Sequence, residues 1–174
     1  LVSSMLLQDK AAAAKFVPLY HAVADPEDAA AYHANAEAYL KKLDALNAFA
    51  HQKIDSIPED RRKVLTSHDA FGYFGAEYKV KFLSPLGVST ETEASAAQVA
   101  KLIEQIKSEG VKTYFFENSN DPRLVKQIAK ATGAESGGEL YVESLSKKDG
   151  PTPTYEKMFR YNVEQLSAAM QKNS

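Results

Sequence analysis

From residue 63 onward, short strand-like runs alternate with helical stretches, and that alternation leaves few folds open. The runs at 64–66, 80–84, 111–116 and 140–142 are rich in Val, Leu, Phe, Tyr and Thr, as strands are. Between them the apolar residues recur at three- and four-residue steps, as in helices buried on one side. A short helix is expected over 69–78, interrupted by Gly72 and Gly75. Ser95 caps a second, with Val99, Leu102, Ile103 and Ile106 on its apolar face and Gly110 at its end. Asn120-Asp121-Pro122 opens a third, with Leu124, Val125, Ile128 and Ala129 inside and Gly133 closing it. A last helix is expected over 155–170. Strands joined by helices of roughly 10 to 15 residues imply βαβ units. The predicted fold class is therefore α/β, with a four-stranded, mainly parallel sheet flanked by helices.

Upstream the pattern is purely helical. Residues 9–24 are alanine-rich and interrupted by Pro18. Asp25-Pro26-Glu27-Asp28 is a helix start, with an N-cap candidate, Pro at the first position and acids on the positive end of the dipole. Tyr32, Ala36, Tyr39, Leu40, Leu43, Leu46, Ala50 and Ile54 then form one apolar stripe to about residue 57. A helix this long reads as a spine. Two regions follow: 1–57, a tail and connecting helix, and 58–174, an α/β lobe.

Composition removes several function classes. With 21 Lys and Arg against 23 Asp and Glu there is no basic excess to attract nucleic acid. Without cysteine, thiolate metal sites and cysteine nucleophiles are excluded. No G-x-G-x-x-G or G-x-x-x-x-G-K-[ST] loop follows a strand, and no Gly-x-Ser-x-Gly elbow occurs. Ser67, His68 and Asp69 are adjacent in sequence, whereas triad members come from separate elements.

Parallel strands joined by crossovers bring their carboxyl ends to one edge, where ligands bind in open α/β sheets. Three predicted strands end there in side chains able to bind metal or move protons: His68 with Asp69 beside it, Glu117, and Glu143. An imidazole with one or two carboxylates suits a borderline divalent cation. Each residue also has a plainer role open to it. His68 can be a helix cap or surface residue, and Asp69 a first-turn charge. Glu117 can cap the next loop, and Glu143 can hydrogen-bond its own loop. His21, His33 and His51 share no helix face and read as solvated, while Tyr73, Phe74, Phe115 and Phe116 read as core. A small metallohydrolase using His68 and Glu117 is the enzyme alternative, although no nucleophile accompanies them.

Five motifs in consistent order carry a more specific resemblance. They are Ser67-His68-Asp69-Ala70-Phe71-Gly72-Tyr73-Phe74; Gly87-Val88-Ser89-Thr90-Glu91 with Ser95-Ala96; Phe116-Glu117-Asn118; Leu140-Tyr141-Val142-Glu143-Ser144-Leu145-Ser146; and Gly150-Pro151 with Thr154-Tyr155 and Asn162. From about residue 25 to the C-terminus the chain closely resembles the C-terminal lobe of the cluster A-I metal-binding proteins. These are the zinc and manganese solute-binding components of bacterial ABC transporters, related to pneumococcal surface antigen A.

The resemblance implies two α/β lobes joined by a rigid helix, with metal held between them by two ligands from each lobe. It assigns His68 and Glu143 as the metal ligands of this lobe, with Glu117 and Asp69 as residues behind them. Glu143 stands where the family usually has Asp. Being one methylene longer, it requires its loop to retreat or its carboxylate to approach from another angle. The resemblance further implies a non-enzymatic role in ion transport, with Zn2+ as cargo (alternative Mn2+), because an imidazole at position 68 favours zinc. The implied partners are an ABC permease membrane subunit and an N-terminal lobe that this chain lacks. Self-association through the surface that lobe would cover is also expected, and the implied location is the periplasm or the cell surface as a lipoprotein. A cell-adhesion or interaction protein on the same fold is the alternative.

Overall fold

A computed structural model describes residues 23–87, 94–118 and 121–173. The predicted helix over 9–24 falls almost wholly outside these residues, and the loop at 89–93 and Asn120 lie outside them. The chain divides into two compact units, Leu1–Phe49 and Ala50–Ser174. The long helix α1, Ala29–Ile54, crosses that boundary.

In the first unit a single 3-10 turn, Pro26–Asp28, precedes α1, with Pro at its first position. Asp25 does not cap that turn with its side chain. Its carboxylate instead accepts a hydrogen bond from the Tyr32 hydroxyl at 3.1 Å. Leu43 and Leu46 are buried, as the apolar stripe predicts, but Tyr39 is half exposed.

In the second unit the order of elements is β1 (Lys63–Leu65), α2 (Gly72–Tyr78), β2 (Lys81–Leu83), α3 (Ala96–Ser108), β3 (Thr113–Glu117), α4 (Arg123–Thr132), β4 (Glu135–Leu140) and α5 (Tyr155–Met170). The four strands form one sheet in the order β2-β1-β3-β4, and every pairing is parallel. The predicted α/β class holds. Ser95 and Gln98 form the full capping box that starts α3. Gly133, at φ 78°, ends α4 in a left-handed turn that other residues adopt only with strain.

Alternation along the strands separates two cores. Leu65 and Leu83 pack with Leu102, Ile106, Val125 and Ile128 from α3 and α4, and Tyr114 and Phe116 join them. Val64 and Phe115, both fully buried, point to the other face, where α5 lies against β1 and β4. Phe71 stacks on Phe82 at 4.8 Å, and Phe74 meets Tyr78 and Phe159, which fixes α2. At the opposite end of the sheet Asn173 accepts from the Lys112 N–H and donates to the Arg61 and Lys63 carbonyls, stitching β1 to β3.

Two elements depart from expectation. The fourth strand is not 140–142 but Glu135–Leu140, so Tyr141, Val142 and Glu143 lie in the loop beyond it. The run Glu-Ser-Gly-Gly-Glu-Leu has no β-branched residue, and its paired glycines read as a turn. They are there because β4 crosses close over β3. A Cβ on Gly137 would lie 2.3 Å from the Phe115 ring, and Gly138 has φ 103° at a register shift opposite Tyr114 and Phe115. Helix α2 begins at Gly72 rather than 69, because the chain after β1 stays extended long enough for His68 to bridge Leu86.

Candidate metal centre

Strand order sets the site. From β1 the chain moves outward to β2, and from β3 it moves outward on the other side to β4. The adjacent pair β1 and β3 is thus the switch point of the sheet, where a crevice opens outside the carboxyl ends. His68 follows β1 and Glu117 ends β3.

His68 is held by backbone continuing the sheet. The Thr66 N–H donates to the Leu83 carbonyl at 2.9 Å, and the Asp69 N–H to the Leu86 carbonyl at 3.1 Å. The Thr66 hydroxyl donates to the His68 carbonyl at 3.1 Å. These bonds aim a side chain only 3% exposed between two carboxylates. Its Nδ1 stands 3.4 Å from Oε2 of Glu117, and its Nε2 stands 3.8 Å from Oε1 of Glu143.

The two carboxylates differ in kind. Glu117 is fully buried, and its Oε1 accepts the Ser67 N–H at 3.2 Å. Its Oε2 has no hydrogen-bond partner among the described residues and faces the ring. A buried carboxylate oxygen left this way is uncommon, and the group it faces is the His68 ring. Glu143 keeps 63% of its side chain exposed, so it is accessible to an ion from solvent. Two ligands about 2.0–2.2 Å from a tetrahedral zinc ion stand about 3.3–3.6 Å apart. The separation of 3.8 Å between Nε2 and Oε1 needs to close by no more than about half an ångström.

Asp69 is exposed and precedes α2 instead of lying in its first turn. Among the described residues no group of three or more His, Asp or Glu side chains could hold a metal ion alone. His33 is exposed. His51 is partnered rather than merely solvated: its Nδ1 lies 3.0 Å from Asp55 and its Nε2 3.7 Å from Glu77. Tyr73, expected in the core, is 41% exposed.

The asparagines that fix the Glu143 loop fall within the motifs that carry the family resemblance, but nothing in their chemistry marks them as loop anchors. Asn162 on α5 accepts from the Tyr141 N–H at 3.1 Å and donates to the Tyr141 carbonyl at 2.6 Å. Farther along, Ser146 and Thr152 bond each other through backbone and hydroxyl groups. The hydrogen bond to Glu139 pushes the Tyr141 hydroxyl up to about 12, helped by partial burial. The sequence signal for the loop anchors was their place in those motifs, an asparagine at a strand end and another inside an amphipathic helix.

A parallel lobe with a buried imidazole at its switch point, faced by an accessible carboxylate from the loop after β4, is an arrangement able to contribute ligands to a divalent transition metal. Comparison with known proteins gives the family. Residues 13–169 match the family model described as ZnuA, zinc-uptake complex component A periplasmic. The iron-binding protein YfeA of Yersinia pestis is 34% identical over 143 residues, covering 82% of this chain and 46% of that protein. The manganese-binding lipoprotein MntA of Bacillus subtilis is 31% identical, covering 83% and 49%. The periplasmic zinc-binding protein TroA of Treponema pallidum superposes with a TM-score of 0.82 at 30% identity, covering 90% and 58%. The chain belongs to the ZnuA family of metal-binding, ABC-transporter solute-binding proteins, whose members are not enzymes. It spans about half the length of the curated relatives it matches.

Proposed function

We propose that this chain supplies His68 Nε2 and the Glu143 carboxylate as two ligands to a divalent metal that an ABC importer takes up. Zinc is favoured as cargo and manganese is next. The observation that carries the proposal is the asymmetric setting of one buried ring. Nε2 of His68 looks outward at an accessible carboxylate, while Nδ1 looks inward at the orphaned oxygen of a buried one. Metal-binding histidines commonly donate their second ring N–H to a carboxylate, which fixes the tautomer and raises ligand basicity. Glu117, whose Oε2 stands 3.4 Å from Nδ1, is the carboxylate we assign to that role. Imidazole suits zinc better than it suits hard cations, which supports zinc over manganese. The relatives are named for iron, manganese and zinc.

The cargo is held, not transformed, and passes to a permease subunit in the membrane. The remaining ligands come from an N-terminal lobe. The family description and the lipoprotein relatives support a periplasmic or cell-surface location. Only neutral imidazole ligates, so acid weakens binding. Calorimetry with zinc and manganese tests the proposal. His68→Ala is expected to abolish zinc binding by this chain, and unchanged affinity would refute the ligand assignment. Manganese binding tighter than zinc would refute the choice of metal, because intrinsic affinities run the other way.

A further inference from the structure

Glu143 sits on a loop rather than a strand, yet a metal ligand must be held to within roughly half an ångström to serve. The backbone on both sides of it goes to one side chain. Asn118 Oδ1 accepts the Val142 N–H at 3.4 Å. Asn118 Nδ2 donates to the Ser144 carbonyl at 3.2 Å and to the Ser144 hydroxyl at 2.6 Å. The Asn118 N–H itself donates to the Leu140 carbonyl at 3.1 Å, the last residue of β4. Asn118 directly follows Glu117, the residue that backs His68.

We infer that Asn118 is a positioning residue for Glu143, and that Glu117-Asn118 at the end of β3 together set the distance between the two metal-binding side chains. The inference rests on the metal-site proposal above. Glu117 bonds the residue before His68 and faces its ring, while Asn118 bonds the residues before and after Glu143. One rigid dipeptide therefore references both ligands to the same strand. Asn162 holds only Tyr141, two residues short of Glu143, so without Asn118 the stretch from Val142 to Ser144 loses these side-chain bonds to the sheet. Glu143 would still be present but would sample positions in which Oε1 and Nε2 cannot share an ion.

The test uses this chain with zinc and cobalt as probes. Asn118→Ala is expected to weaken zinc binding 10- to 100-fold, the usual range for groups supporting a ligand. The visible absorption of cobalt at saturation should also change, because that spectrum reports ligand geometry. Ser144→Ala, on an exposed loop, removes only the 2.6 Å bond and should produce a smaller loss in the same direction. It serves as the test if Asn118→Ala does not fold. Zinc affinity within twofold of the parent, or a lowered melting midpoint with an unchanged cobalt spectrum, would overturn the inference. His68→Ala separates the two claims. If it binds metal as the parent does, the site itself is wrong. If it loses binding while Asn118→Ala and Ser144→Ala do not, only the positioning role fails.

Discussion

Replacing Glu117 by Gln keeps the shape of the buried side chain and changes what it can accept. In the parent, Oε1 accepts the Ser67 N–H, and Oε2 faces Nδ1 of His68 at 3.4 Å. A proton on Nδ1 leaves the Nε2 lone pair free for metal. In Glu117→Gln the amide has two placements. If its oxygen keeps the Ser67 N–H, its NH2 group faces the ring. It can then donate only to an unprotonated Nδ1, which drives the ring proton onto Nε2 and removes the ligating lone pair. If the amide flips, its NH2 meets the Ser67 N–H instead, leaving buried donors unsatisfied at a cost of about 1–3 kcal/mol. The first placement opposes metal binding directly; the second keeps the Nε2 lone pair free but adds that cost to the metal-bound state. The expected loss is 10- to 100-fold in zinc affinity, or about 1.4–2.7 kcal/mol. Titration calorimetry at neutral pH measures it, and nitrogen NMR of the His68 ring reads the tautomer directly. An Nδ1-protonated ring together with zinc affinity within twofold of the parent would refute the role given to Glu117.

Two further predictions concern the scaffold. Gly137→Ala places a Cβ 2.3 Å from the Phe115 ring and 2.7 Å from Thr113 Cγ2, so β4 must shift. Urea unfolding should show a loss of about 1–3 kcal/mol. The Tyr141 hydroxyl, raised to about 12 by its hydrogen bond to Glu139, should ionise late in an absorbance titration, and Glu139→Gln should bring it back toward the usual range near 10. Because the folded value lies above the unfolded one, this bond contributes stability below about pH 10 that is lost as pH rises through about 12.

Where local chemistry and tertiary structure agreed, the sequence was readable. Ser95 announces α3, and Gly133 marks the end of α4. The parallel sheet followed from the alternation alone. β4 was misplaced because its residues were chosen for closeness to Phe115, which no local propensity encodes. That error put Glu143 at a strand end, whereas it sits on a loop pinned by two asparagines. His68 and Glu117 were both expected at the ligand edge. That Glu117 lies behind the ring while Glu143 lies before it depends on strand order, with β3 beside β1, and order is not written in any one segment. Asn118 and Asn162 belong to the motifs of the resemblance, but they pin the loop through amide geometry, which the sequence does not reveal.

The most direct test is to crystallise the chain with zinc and locate the ion from its anomalous scattering. The expected peak lies about 2.0–2.1 Å from Nε2 of His68, with a Glu143 carboxylate oxygen in its coordination sphere and Nδ1 donating to Glu117. A peak instead between His51, Asp55 and Glu77, or one bound through His68 Nδ1, would contradict the assignment of this switch point as the metal centre.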